Sequence, residues 1–264
     1  MNKFSLIEMV VVMFAGAILI TGVFLFFAFR RSKSLKIPVS GVQEKILRQY
    51  VTFYRDLADT EKFRFREEVN KFLHTVRITG VGTALEDMDR VFVASAAVIP
   101  LFSFKGWEYR NINEVIVYPG AFSSRDFRVE GEGRDTLGMV GSGPMQRTMI
   151  LSQKDLREGF LHPNTTSNPA IHEFVHLIDK ADGATDGLPE ALLRHSYALP
   201  WLHRMNEEIQ KIRSGRSDIN PYGTTSEAEF LAVAAEYFFN QPERMSERHP
   251  ELYRMLKEIF NPGT

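Results

Sequence analysis

The stretch Ala170-Ile171-His172-Glu173-Phe174-Val175-His176-Leu177-Ile178-Asp179 decides how this chain is read. It sets a His-Glu-x-x-His pattern inside a run of helical periodicity. Side chains four apart on a helix leave the same face one turn apart, so His172 and His176 present two imidazoles to one ion. Neutral imidazole is a good ligand for Zn²⁺, and a catalytic zinc takes three protein ligands with a place left for water. Glu173, beside the first histidine, reaches such a water as general base. The helix is bounded as well as patterned. Asn168 is suited to cap its N-terminus, and Pro169 suits the first helical position, where a missing N–H is harmless. The Asp182-Gly183 pair ends it. Ile171, Phe174, Val175 and Ile178 are apolar, so the helix is expected in the interior with its histidines facing a cleft. The bland reading is a pair of ordinary helix histidines. The caps and apolar flanks weigh against it.

Two histidines leave the ligand set incomplete. Asp182 lies six residues beyond His176, and His195 and His203 fall on what reads as a long amphipathic helix. Glu236 is the strongest candidate. It stands in Ala232-Val233-Ala234-Ala235-Glu236-Tyr237-Phe238-Phe239, with small residues before it and aromatics after. A carboxylate in so apolar a setting needs a partner, because burying an unpaired charge is expensive. A metal ion supplies one; the alternative is a surface glutamate whose stem lies along apolar neighbours.

The rest of the composition bounds the answer. With 264 residues, 44% hydrophobic and 25% charged, the chain has room and content for a sizeable globular core. A net charge of −1 gives no reason to expect nucleic acid as a partner. The absence of cysteine excludes disulfides, Cys-ligated metal and a thiol nucleophile. Residues 10–29 (VVVMFAGAILITGVFLFFAF) form an uncharged run of the length a helix needs to cross a bilayer. Arg30, Arg31, Lys33 and Lys36 follow at once, against Lys3 and Glu8 before it, which puts the basic side in the cytoplasm. No small-x-small cleavage site follows the run, so it reads as an anchor and not as a cleaved signal. The expected organisation is a transmembrane anchor over 1–31, a linker over 32–41, and a peptidase domain over 42–264.

Within that domain, residues 42–57 read as helical, and Asp59-Thr60-Glu61 opens a second helix. Residues 76–79 and 114–118 read as strands, with a buried helix between them that takes in 91–98. Residues 120–144 read as loops or a hairpin. The run 147–152 is a strand expected at a sheet edge, where an extended peptide would pair. A long helix is expected from Leu188-Pro189-Glu190 to Arg213-Ser214-Gly215. The turn Asn220-Pro221-Tyr222-Gly223 precedes a helix from Glu227 to Asn240, capped by Thr224 or Ser226, and residues 252–260 form a short terminal helix.

The motifs HEFVHLID (172–179), NPYG (220–223) and AEFLAVAAEYFF (228–239) resemble those of the zinc peptidases related to Mlc titration factor A, whose gluzincin-like site is shared with the anthrax lethal factor catalytic domain. Weaker similarity runs through INEVIVYPGAF (112–122) and FYRDLADTEKFRF (53–65), and most of residues 45–260 are covered. The apolar run is not. The resemblance implies an α+β fold: a predominantly helical, zincin-like metallopeptidase domain with a small β-sheet, here preceded by one transmembrane helix. It implies one zinc per chain on His172, His176 and Glu236, with Glu173 as general base. It implies a peptide or protein substrate, with aminopeptidase activity common in the family. Tyr222 aligns with a family tyrosine and is expected to donate to the developing oxyanion. Asp179, seven after His172 and three after His176, is suited to accept a ligand-histidine N–H. Glu229, seven before Glu236, is expected to line the same face. The rival expectation is a regulatory role, in which the protein captures a transcriptional regulator and hydrolysis is secondary.

Overall fold

The β-branched run in Glu114-Val115-Ile116-Val117-Tyr118 makes a strand whose alternate side chains, Val115 and Val117, are buried, while the residues between them are half-covered. A mixed sheet is built on that strand. The computed structural model describes residues 40–261 apart from 130–132, 142, 163, 191 and 193–194. The chain divides into Met1–Pro38 and Val39–Thr264, and the second unit is the one described below. The apolar run 10–29 lies outside the described residues. Among the described residues, no helix is long and apolar enough to cross a membrane.

The elements follow in order. Helices α1 (Gly41–Tyr50), α2 (Thr52–Asp56) and α3 (Asp59–Thr75) lead into strand β1 (Arg77–Gly80) and helix α4 (Asp87–Val98). Strands β2 (Glu114–Tyr118), β3 (Gly138–Val140) and β4 (Thr148–Ser152) precede helix α5 (Gln153–Leu161) and the metal helix α6 (Pro169–Asp179). Helices α7 (Ala198–Arg213), α8 (Glu227–Asn240), α9 (Pro242–Arg248) and α10 (Pro250–Phe260) complete the described chain. It is an α+β fold, mostly helical, around one four-stranded sheet of order β1-β2-β4-β3. Strands β1, β2 and β4 run parallel, and β3 closes one side antiparallel to β4.

Several expectations are corrected. The strand over 147–152 exists, as β4, but it lies between β2 and β3 and is not an edge. Its burial explains this, since Met149 through Ser152 are all covered, as an interior strand requires. The edge beside the metal helix is β3, from the stretch read as loops or a hairpin. The helical run over 42–57 is broken at Val51, whose extended backbone separates α1 from α2. The helix expected from Leu188 begins only at Ala198. Pro200 accounts for the difference, because proline is tolerated in a first helical turn and not in an interior. Helix α5 was not anticipated, although Ser152-x-x-Asp155 has the form of a cap and the Ser152 hydroxyl does accept from the Asp155 N–H.

The core holds the metal helix from behind. Helix α4 is buried at every position from Val91 to Val98 and packs against α1, α3, α5 and the metal helix. On the far side, the metal helix lies along α8. Gly187 locks the C-terminal end. Its positive φ of 76° suits glycine, and a Cβ there would stand 2.4 Å from the Glu227 carbonyl oxygen. Its N–H donates to Asp179 and its carbonyl accepts from the Trp201 indole, tying α6, α7 and the start of α8 together.

Candidate metal centre

The metal helix begins as its sequence dictates. Asn168 Oδ1 accepts from the Ile171 N–H, and Pro169 occupies the first position. Position 168 does more than cap. Its backbone N–H donates to Glu236 Oε2 at 2.5 Å, so the start of α6 is pinned to α8.

The other oxygen of that carboxylate, Glu236 Oε1, stands 2.7 Å from His172 Nδ1. Both Glu236 oxygens are therefore engaged, and the residue is buried, 6% exposed. A carboxylate only accepts, so His172 carries a proton on Nδ1, and its Nε2 is turned the other way. There it meets His176 Nε2 at 3.0 Å and Glu229 Oε2 at 2.9 Å. Glu229 Oε2 is in turn 3.4 Å from His176 Nε2. These three atoms, one from each of His172, His176 and Glu229, form a compact triangle suited to a single cation.

The donor set fits zinc. Ligand atoms at 2.0–2.2 Å from a tetrahedral zinc lie about 3.3 Å from one another. The triangle here, 2.9 to 3.4 Å on a side, is close to that size. The Nε2 atoms of His172 and His176, facing each other at 3.0 Å with a carboxylate beside them, need a proton or a cation between them. Among the described residues, His176 Nδ1 is buried without a partner, as is Asp179 Oδ1 three residues on.

The electrostatics say the same. Burial works against charge on His172, but the bonds to Glu229 and Glu236 outweigh it and raise its pKa to about 10. Burial would raise Glu229, yet the two histidines hold it down at about 2. The cluster thus binds a positive charge firmly. Glu173 is different: it is buried, forms no hydrogen bond to His172 or His176, and burial raises its pKa. A carboxyl of raised pKa beside a cation site is suited to take and return a proton.

The glucose-regulated metallopeptidases M90 match this chain over residues 26–261. The chain belongs to that family. Among curated relatives, Mlc titration factor A of Pectobacterium atrosepticum is 28% identical over 219 residues, covering 77% of this chain and 80% of that protein. Mlc titration factor A of Serratia proteamaculans is 28% identical over 195 residues, covering 68% and 71%. An uncharacterized Synechocystis protein is 25% identical over 242 residues, covering 88% of each chain. Membership of M90, a family of metallopeptidases, supports a peptidase and implies a metal.

The remaining expected residues of this M90 chain are placed as follows. Tyr222 lies in the 3₁₀ turn Pro221–Thr224, its ring 6.1 Å from the His172 ring, and it is 53% exposed. Partial burial, with the nearby Glu229 and Glu173 charges, raises its phenol above the usual value. It stays a donor at neutral pH. Asp179 accepts from the Gly187 N–H through Oδ2, its Oδ1 has no partner among the described residues, and burial pushes its pKa up to about 6. Asp182 is exposed and accepts from the Ala184 N–H, away from the triangle. Glu236 lies against the outer nitrogen of His172, and Glu229 against the inner ones.

Sequence reading missed the close approach of β3 to the base. A Cβ at Gly138 would stand 2.7 Å from Glu173 Cγ and 3.0 Å from its Oε1. No motif marks that glycine; only the fold brings it to Glu173.

Proposed function

We propose that the chain is a membrane-anchored zinc peptidase whose metal is held by His172, His176 and Glu229. Glu229 takes the place that the resemblance implied for Glu236, and Glu236 instead orients His172 from its far nitrogen. The observation that carries this reading is the convergence of the three inner atoms while Glu236 has both oxygens already engaged.

A zinc ion bound there supplies Lewis acidity, polarising a scissile carbonyl and making a water easier to deprotonate. The rest is done by the chain. Glu173 accepts the water's proton and passes it to the leaving amine. Tyr222, exposed and protonated, donates a hydrogen bond to the oxyanion. Strand β3 presents its outer edge beside Glu173, and an extended peptide adds to that edge as a further strand. Glu236 keeps His172 in the tautomer that directs Nε2 inward. The run 10–29 anchors the protein with the peptidase domain in the cytoplasm.

The test separates the two glutamates. Purified E229A should contain little zinc. E236Q should retain zinc but bind it more weakly, by roughly 10–100-fold, the usual effect of losing a partner of a ligand histidine. E173Q should keep both fold and zinc while turnover falls by about 10²–10⁴-fold. Normal zinc in E229A, with loss in E236A, would return the third ligand to Glu236. Peptides with free and blocked N-termini then decide whether the activity is that of an aminopeptidase. A second reading rests on the relatives' name, which speaks of titrating a regulator. It predicts that E173Q keeps the full cellular effect of the wild type.

A further inference from the structure

A cavity of about 500 Å³ opens on the other side of the metal helix, and none of its lining residues belongs to the metal centre. Its position follows from helix geometry. Phe174 lies two residues from each ligand histidine, about 200° around the helix from either. It points away from the metal, and its ring packs on Phe72 at 5.6 Å and Tyr109 at 5.3 Å. Both of those rings line the cavity.

The walls are aromatic and the rim is cationic. Phe72, Phe102, Phe104, Trp107 and Tyr109 supply rings, with Trp107 and Tyr109 edge-to-face at 5.2 Å. Lined this way and of this size, it falls in the range of small-molecule sites. The Tyr109 hydroxyl is already engaged, donating to the Ala97 carbonyl at 3.0 Å, and burial pushes its pKa well up. It offers no charge. Two carboxylates, Glu68 and Glu108, lie in the lining, and Lys71 pairs with both. The Arg64 guanidinium lies 3.9 Å over the Phe102 ring and 4.0 Å from Glu61. Lys105 and Arg147, also in the lining, form no ion pair among the described residues. In a chain of net charge −1, the cavity is left with an aromatic interior and two unneutralised cations at its mouth.

We propose that this cavity binds a small aromatic carboxylic acid, its ring against Trp107 and Tyr109 and its carboxylate between Lys105 and Arg147. Aromatic rings pair offset or edge-to-face with others, which a flat ligand satisfies and a solvated cavity does not. The carboxylate gains charge-assisted bonds from two donors that form no ion pair among the described residues, of which Arg147 also donates to the Arg110 carbonyl. The site needs no metal and is independent of the peptidase reading.

The full-length protein, purified and titrated with 2-naphthoate, tests it. Trp107 is in the cavity wall and Trp201 is fully buried, so quenching of Trp107 reports occupancy. Saturable quenching is expected with 2-naphthoate, and binding at least about tenfold weaker with the isosteric neutral 2-naphthamide, the effect of losing a charged hydrogen bond. K105A/R147A alters two exposed side chains and should weaken 2-naphthoate about tenfold or more while leaving 2-naphthamide unchanged. W107F should abolish the quenching. Zinc-stripped protein should bind as well as the loaded form. Equal affinity for the acid and the amide would overturn the proposal. So would quenching that survives in W107F, which places the ligand elsewhere, or binding that is lost with the metal.

Discussion

Replacing Gly138 by alanine tests the link between the sheet edge and the general base. The added Cβ would stand 2.7 Å from Glu173 Cγ, 3.2 Å from its Cδ and 3.0 Å from its Oε1. Ordinary carbon–carbon contact is about 3.5–4.0 Å, so the overlap at Cγ is about 1 Å. It falls on the middle of the Glu173 side chain, which is only 6% exposed and has little room to swing aside. Strand β3 is bonded on one side only, to β4, and is the softer of the two partners. Either the strand moves out or the carboxylate moves. In both cases base and substrate edge separate by about 1 Å, a misplacement that costs on the order of 10²-fold in turnover. Forcing a methyl into a packed site costs about 1–3 kcal/mol of stability. The ligands are untouched. Peptide hydrolysis, zinc content and thermal melting of G138A should show kcat down about 10²-fold with stoichiometric zinc and a modestly lower Tm. G120A is the control, since nothing lies within 4 Å of a Cβ at that glycine. Wild-type turnover in G138A would refute the contact and with it the role of β3 beside Glu173. Loss of zinc would show that the strand supports the ligands, not the base.

Asp218 should make stability depend on acid. Burial alone would raise its pKa, but His249, Arg244 and Tyr237 outweigh this and hold it at about 2. A depressed carboxyl stabilises the fold above its unfolded pKa and stops doing so as pH falls through the folded value. D218N should therefore be less stable than wild type at neutral pH by on the order of 2 kcal/mol, and the gap in denaturant midpoints should close between pH 4 and about pH 2. The run 10–29 predicts that the protein stays in the membrane fraction through alkaline washing and that protease outside intact cells spares residues 37–264. Cleavage from outside would reverse the orientation.

What could be read from the sequence depended on whether a local rule had a tertiary rival. Strand Glu114–Tyr118 and helix Glu227–Asn240 were legible to the residue: a β-branched run stopped by Pro119-Gly120 marked the strand, and Ser226 does cap the helix through the Glu229 N–H. The start of α6 was legible for the same reason. The start of α7 was misread because Leu188-Pro189-Glu190 looks like a helix start, while Pro200 later in the run gave the contrary signal for the start at Ala198. Strand β3 could not be found at all. Gly138-Met139-Val140 has no alternation to detect, and its pairing with β4 comes from the sheet.

The third ligand shows the limit most clearly. Glu229 and Glu236 are seven apart on one helix, two turns along the same face, so periodicity gives both equal access to the histidines. Burial favours Glu236, and sequence reasoning follows burial, because an acid among alanines and phenylalanines needs a partner. On the proposed assignment to Glu229, that inference is sound in its premise and incomplete in its conclusion. Glu236 has its partners, the Asn168 N–H and His172 Nδ1, and neither is a metal. An imidazole has two nitrogens on opposite sides of its ring, so two carboxylates on one helix face can both bind the same histidine in different roles. Glu236, at the N-terminal start of α6, meets Nδ1. Glu229, further along α6 toward His176, meets Nε2 and also touches the second histidine. Contact with both histidines is what a shared ion requires of its third ligand, and only Glu229 makes it among the described residues. The distinction lies in which end of a ring a carboxylate reaches, and that is set by the antiparallel or parallel lie of α6 and α8 and their axial offset, not by either helix alone.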